Sequence, residues 1–210
     1  MSSAGASPRR LTRKGEETRR RILDTAADLI FEQGVANTTI EDVRAAADVS
    51  SSQLYHYFDD KPALVRAVID HQADTIVGGQ ETFDLSSLDG LRAWRDWVVE
   101  HQRQLNCSGG CPIGSLGSEL SETDPEARAQ VAQGFERWEA TIRVGLREMH
   151  ARGRLRPGAD PDSLALALLA ALQGGLLLTQ IERNTRALEA ALDAMLELIA
   201  GGGAHDSQAG

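Results

Sequence analysis

Between Val131 and Met149 the large apolar side chains fall at Val131, Phe135, Trp138, Ile142, Leu146 and Met149. Steps of three and four put all six on one side of an α-helix, whereas a strand would scatter them over two faces. The same period recurs elsewhere: Ile22, Leu23, Ala26, Ala27 and Ile30 form one stripe, and Leu91, Trp94, Val98 and Leu105 another. No alternating apolar and polar run competes with it, so the expected fold class is all-α.

Turn-forming residues divide the chain. Gly34 ends the first helix, and Thr39 is a suitable N-cap for a short second one with Ile40, Val43 and Ala47 turned inward. In "ADVS", Asp48 tolerates a left-handed turn, Val49 can plug the core and Ser50 can cap a third helix. A fourth helix starts near Asp60, with Pro62 in its first turn. Beyond Gly78–Gly79, "CSGGCPIGS" reads as a loop and "RGRLRPGADPDS" as a connector, with two last helices over roughly 163–184 and 185–200. This gives a flexible basic arm (1–15), a helix-turn-helix domain (16–62), a larger helical domain (63–200) and a disordered tail (201–210).

Charge narrows the function. The net charge is −9, against coating nucleic acid indiscriminately. Arg9 to Arg21, however, holds seven basic residues against Glu16 and Glu17, a local +5 that suits one contact with a polyanion. No secretory signal opens the chain, and two cysteines cannot build a disulfide framework, so a cytoplasmic location is expected. The most apolar stretch, 164–178, is interrupted by Gln173, Gly174 and Gly175 and is shorter than the roughly 20 residues of a bilayer span, so no membrane partner is expected.

Aromatic residues make up only 4% of the chain, yet Tyr55, Tyr57 and Phe58 fall within four positions of the third helix. At 100° per residue, Leu54 and Phe58 share a face, with Tyr57 at its margin, while Ser52, Gln53, Tyr55 and His56 point the other way. Uncharged donors and acceptors of that kind suit base edges, glutamine pairing bidentately with adenine. Lys61 opens the next helix, where free N–H groups assist a phosphate contact. Residues 18–70, with "RRRILDTAADLIFEQG", "TTIEDVRAAADVSSSQLYHYFDDK" and "LVRAVI" in order, resemble the DNA-binding domain of the TetR family of bacterial transcriptional regulators. The resemblance implies base and phosphate contacts at Ser51, Ser52, Gln53, Tyr55 and His56, and backbone contacts from Thr39, Tyr57 and Lys61. Asp48 and Ser52 depart from the glycine or proline common at those positions in relatives.

The resemblance also implies a homodimer paired through its last two helices, a ligand pocket in the C-terminal bundle and palindromic double-stranded operator DNA as partner. Residues from 110 onward are similar to the LmrA/YxaF-like branch, repressors released by small, often aromatic or hydrophobic, effectors. Trp94, Trp97 and His101, with Phe135, Trp138 and Gln173, are the candidate ligand-binding residues, an aromatic lining with polar handles. Cys107 and Cys111, with His101 nearby, lack zinc-knuckle spacing and a fourth ligand, so neither a metal nor a cofactor is expected. "GSLGS" puts Leu116 where a nucleophile elbow needs serine, and no Gly-rich phosphate loop is present. A ligand-released repressor is therefore expected rather than an enzyme, the alternative being a small-molecule carrier with a structural N-terminal domain.

Overall fold

The computed structural model describes residues 11–200, all of whose regular structure is helical. Arg9, Arg10 and the expected tail at 201–210 lie outside the described residues. The chain divides into two compact units, one up to Val68 and one from Ile69 onward. That division falls inside a helix, six residues beyond the boundary expected after residue 62.

The first unit is built by its caps. Helix α1, Arg13–Asn37, starts where Thr12 Oγ1 accepts from Gly15 N at 3.2 Å, so ordered helix reaches into the segment assigned to the arm. It breaks at Gly34, whose φ of 82° is open to glycine at little cost. Helix α2, Ile40–Ala46, carries a reciprocal capping box between Thr39 and Asp42, and α3, Ser51–Tyr57, carries one between Ser50 and Gln53. Between them Asp48 takes φ 50° and Val49 is buried, which gives helix, tight turn, helix. Ile22, Ala26, Val43, Ala47, Leu54 and Phe58 form the core, and the Arg19 guanidinium lies 5.5 Å from the Phe58 ring centroid. Ile40, expected inside, is only half-buried because it sits at the open end of α2.

Helix α4, Lys61–Gln80, leads into the second unit. There α5 (Leu88–Gln104), α6 (Pro112–Leu120), α7 (Pro125–Ala151), α8 (Pro161–Glu182) and α9 (Arg186–Ala200) pack as α6 on α7, α7 on α8, α8 on α9 and α5 on α9. Arg95 forks onto Asp193 at 2.7 and 2.8 Å, and Arg103 reaches Glu189 at 2.8 Å, tying α5 to α9.

Two expectations need correction. "CSGGCPIGS" is not all loop: from Pro112 onward it is the start of α6. Cys111 Sγ accepts from Gly114 N at 3.4 Å as a cap, Pro112 occupies the first turn, and Ile113 and Leu116 anchor the helix in the core. The apolar segment at 164–178 belongs to a 22-residue helix that is long and apolar enough to cross a membrane by length and composition. Its best window is nevertheless 44% buried inside the bundle, as a core or interface helix would be.

Candidate nucleic-acid interface and effector cavity

In the first unit, Leu54 and Phe58 fix which way α3 faces. With both buried, Ser51, Ser52, Gln53, Tyr55 and His56 all lie on the exposed side, Tyr55 at 51% exposure. The His56 ring meets Tyr57 edge-on at 5.0 Å. Tyr57 is half-buried, and its hydroxyl lies 3.4 Å from where a Cβ on Gly15 would sit, against the first turn of α1.

Three of the expected contact residues are already engaged: Ser52 Oγ lies 3.2 Å from Ser50 Oγ, and Gln53 and Thr39 are held in capping boxes. Gln53 Oε1 accepts from Ser50 N at 2.9 Å, so bidentate pairing with adenine requires that bond to break, while its Nε2 stays outside the box. Thr39 donates from both N and Oγ1 to Asp42 Oδ2, at 2.9 and 2.6 Å. The Thr39 hydroxyl, then its backbone N–H, hold the Asp42 carboxyl below its ordinary value, so a negative charge stays beside this expected phosphate contact. At Lys61, half-buried, the helix end is not fully open: Asp60 Oδ1 accepts from Ala63 N at 2.7 Å, placing a carboxylate where free N–H groups were expected.

The second unit holds a cavity of about 730 Å³ bounded by α6, α7 and α8. Of the six candidate ligand residues, Phe135 and Gln173 line it. The other four do not. Trp94 is 1% exposed and belongs to the core of α5, while Trp97 stacks on His101 at 5.2 Å on the outer side of the same helix. Trp97 and His101 lie three and seven residues beyond Trp94, yet burial splits them from it, so one helix could not deliver all three to one cavity. Trp138 is buried behind Phe135, their rings stacked at 6.4 Å. Its lining also includes Cys111, Ser115, Ser118 and Glu119 from the 111–120 stretch and Gln180 from α8. Sequence reasoning missed those of the 111–120 stretch because "CSGGCPIGS", 107–115, was read as loop and the residues just after it were given no element; the available signal was Ile113 and Leu116, three apart behind Pro112.

Burial pushes the Cys111 thiol above its ordinary value, with the Gly114 N–H and the Gln173 side chain pulling the other way. Gln173 Nε2 is shielded from solvent and makes no hydrogen bond of good geometry within the protein; the weakly accepting Cys111 sulfur feels it as a donor without satisfying it. Gly174 and Leu177 line the cavity and also lie on the outward side of α8, where Leu166, Leu177 and Ile181 are 60%, 55% and 66% exposed.

A short capped turn presenting the polar face of a helix, joined to a helical bundle with a cavity, defines a helix-turn-helix protein with a sensor-like second half. Residues 22–68 match the family described as bacterial regulatory proteins, tetR family, and residues 87–195 match the tetracyclin repressor-like C-terminal domain. The chain is 31% identical to an uncharacterized HTH-type transcriptional regulator in the lacX 3' region of Lactococcus lactis subsp. lactis, over 84% of this chain and 90% of that protein. It is 26% identical to the HTH-type transcriptional repressor DhaR of Mycobacterium sp. (strain GP1), over 86% and 91%. A TetR transcriptional regulator from Chloroflexus aurantiacus J-10-FL superposes with a TM-score of 0.75 at 30% identity, covering 91% of this chain and 98% of that one. The chain belongs to the TetR family of transcriptional regulators. It is a DNA-binding regulator, not an enzyme, and the carrier reading gives way to that.

Proposed function

We propose that this protein is a repressor that binds a palindromic operator as a homodimer and is released by a small, partly apolar effector held between α6, α7 and α8. The observation that carries this reading is the orientation of α3: its apolar side is buried, and Ser52, Gln53, Tyr55 and His56 are left on one exposed face. Seven exposed or half-exposed positions on three helices, Thr39, Ser51, Ser52, Gln53, Tyr55, His56 and Lys61, then serve as base and phosphate contacts, with Tyr57 at the margin. DhaR, similar along most of its length, is named a repressor. The second copy covers the outward side of α8 with that of α9, where Leu166, Leu177, Leu178, Ile181 and Leu198 are large apolar side chains left exposed on the single subunit. Two α3 helices related by a two-fold axis match two operator half-sites.

The finer placement in the LmrA/YxaF-like branch, and with it a preference for aromatic or hydrophobic effectors, rests on the sequence from residue 110 onward and on Phe135 and Leu177 in the cavity wall. Release follows when the effector favours a bundle conformation in which the two α3 helices no longer fit successive major grooves. Of the titratable arm, Arg13, Lys14, Arg20 and Arg21 are exposed along the first half of α1 and support phosphate contacts.

A gel shift against DNA from upstream of the gene, repeated at rising salt, tests the reading. Log affinity for the specific site is expected to fall linearly with log salt. His56→Ala should weaken specific binding by about 1–3 kcal/mol, and Lys61→Ala should weaken all sequences alike. Equal binding to random DNA sinks the proposal.

A further inference from the structure

We propose that the cavity between α6, α7 and α8 selects an uncharged small molecule with an apolar, ring-sized body and a carbonyl-type hydrogen-bond acceptor, which the Gln173 amide nitrogen binds. This deepens the proposed function and rests on its reading of this cavity as the effector site.

The charge of the wall excludes anions. Among the described residues lining the cavity Glu119 carries the only carboxylate, and none is Lys, Arg or His. A carboxylate or phosphate ligand would lose its hydration there with no cationic partner and with Glu119 at the rim. Cations are disfavoured on different grounds. Gln173 Nε2 is a donor cut off from solvent with only the weakly accepting Cys111 sulfur beside it; an ammonium group brings only further donors to it, and the attraction of the exposed Glu119 is screened by water. A carbonyl, ether or amide oxygen satisfies it, and a buried donor left unmatched is costly.

The backbone opposite is cut away to hold the amides in this arrangement. A Cβ on Gly114 would stand 3.2 Å from Gln173 Oε1, and one on Gly110, at φ 64°, would stand 2.7 Å from Gln180 Oε1. Both carbonyl oxygens are thus turned toward the Gly110–Gly114 segment. Gln173 and Gln180, two turns apart on α8, share one side of the helix. Phe135 and Leu177 supply the apolar walls, and about 730 Å³ accommodates a compound of two or three rings.

The test uses the full-length protein and three probes with one biphenyl body: 4-acetylbiphenyl, 4-phenylbenzoate and 4-phenylbenzylammonium. Affinities are read by calorimetry or by quenching of tryptophan fluorescence. The ketone is expected to bind about tenfold or more tighter than either charged analogue, the scale of one buried hydrogen bond gained or denied. Gln173→Met, similar in size but with no donor, should weaken the ketone by about tenfold and leave 4-ethylbiphenyl unchanged. Gln173→Glu, which puts an oxygen in place of the nitrogen, should weaken the ketone and strengthen the ammonium probe. Circular dichroism of each variant guards against misfolding, and Gln180→Met serves as a control at the neighbouring amide.

Carboxylate binding as tight as ketone binding overturns the proposal. So does ketone binding that both Gln173 variants leave unchanged, or no ketone binding up to its solubility limit. Operator binding measured on the same preparations keeps the two levels apart. Ketone binding through Gln173 that leaves the DNA complex intact supports the ligand class and overturns the effector reading. An intact DNA complex with no ketone binding overturns the ligand class and leaves the regulator reading standing.

Discussion

Gly174 and Gly175 are neighbours on α8, yet alanine at the two positions should act in opposite directions. A Cβ on Gly175 would lie 2.8 Å from both Cα and Cδ1 of Leu188 and 3.3 Å from its Cβ. Ordinary contact needs at least about half an ångström more, and the obstacle includes backbone, so α8 and α9 must part along their length. Overpacking of this kind costs about 1–3 kcal/mol, while replacing a mid-helix glycine by alanine returns about 1 kcal/mol in helix propensity. The net loss for Gly175→Ala is therefore up to about 2 kcal/mol, at the upper end roughly 4–8 °C in melting temperature for a chain of this size. A Cβ on Gly174 meets nothing within 4 Å inside the subunit, so only the propensity gain remains. Guanidinium unfolding followed by circular dichroism, at equal protein concentrations, compares the two. If Gly175→Ala unfolds at the same denaturant concentration as Gly174→Ala, α8 and α9 do not touch backbone to side chain at this point. If Gly174→Ala is the less stable, the outward side of α8 is closely covered by something other than water.

Other groups give independent readouts. Glu189 is held below its ordinary carboxylate value of 4.5, first by the Thr185 hydroxyl and further by Arg103 and Arg95. A depressed native value adds stability above the unfolded value and loses it as pH falls through the lower native one. Denaturation midpoints should therefore drop as pH is taken from 5 down through 4, and Glu189→Gln should flatten that slope; an unchanged slope removes Glu189 as a cause. Cys107 and Cys111 are both buried, and burial raises the Cys111 thiol. Ellman's reagent at pH 8 should therefore react far more slowly with native than with denatured protein, and prompt titration of two thiols in the native state would contradict the burial. Asp48, at φ 50°, carries a conformational cost that glycine avoids. Asp48→Gly should stabilise the protein by up to about 1 kcal/mol and tighten DNA binding at low salt by removing a negative charge beside α3; weaker DNA binding would show that the Asp48 carboxylate makes a useful contact.

Where one face of a helix is apolar and the other polar, the sequence announced the structure. Leu54 and Phe58 inside, with Ser52 and His56 outside, followed from spacing alone, as did the turn at Asp48 and the cap at Ser50. The cavity was less legible for three physical reasons. Burial, which periodicity ranks only coarsely, separates Trp94 from Trp97 and His101 on a single helix. Glycine and serine in "CSGGCPIGS" hid a helix whose start depends on Pro112 and on the Cys111 cap. Side-chain bonds such as Gln53 to Ser50 and Thr39 to Asp42 are decided between rotamers, so a residue that spacing leaves open can be engaged in the fold.

Helix α8 is the extreme case, because it is apolar almost all round and periodicity assigns it no outward side. The structure divides its circumference. Leu164, Leu168, Leu172 and Leu176 face the bundle. Leu166, Gln173 and Gln180 follow one another at two-turn intervals along the opposite side, where Gln173 and Gln180 line the cavity and Leu166 and Ile181 are exposed beside it. Gly174 and Leu177 both line the cavity and are exposed. A second copy that covers the outward side of α8 therefore also covers part of the cavity's edge. Under that arrangement ligand binding and subunit association share residues, and linkage requires each to change the other's equilibrium by the same factor. Ligand affinity measured well below the dimer dissociation constant must then differ from that measured well above it. Leu166→Arg, remote from the cavity lining, should abolish the concentration dependence by keeping the protein monomeric. An affinity independent of protein concentration across that range would show that the partner leaves the edge at Leu177 uncovered.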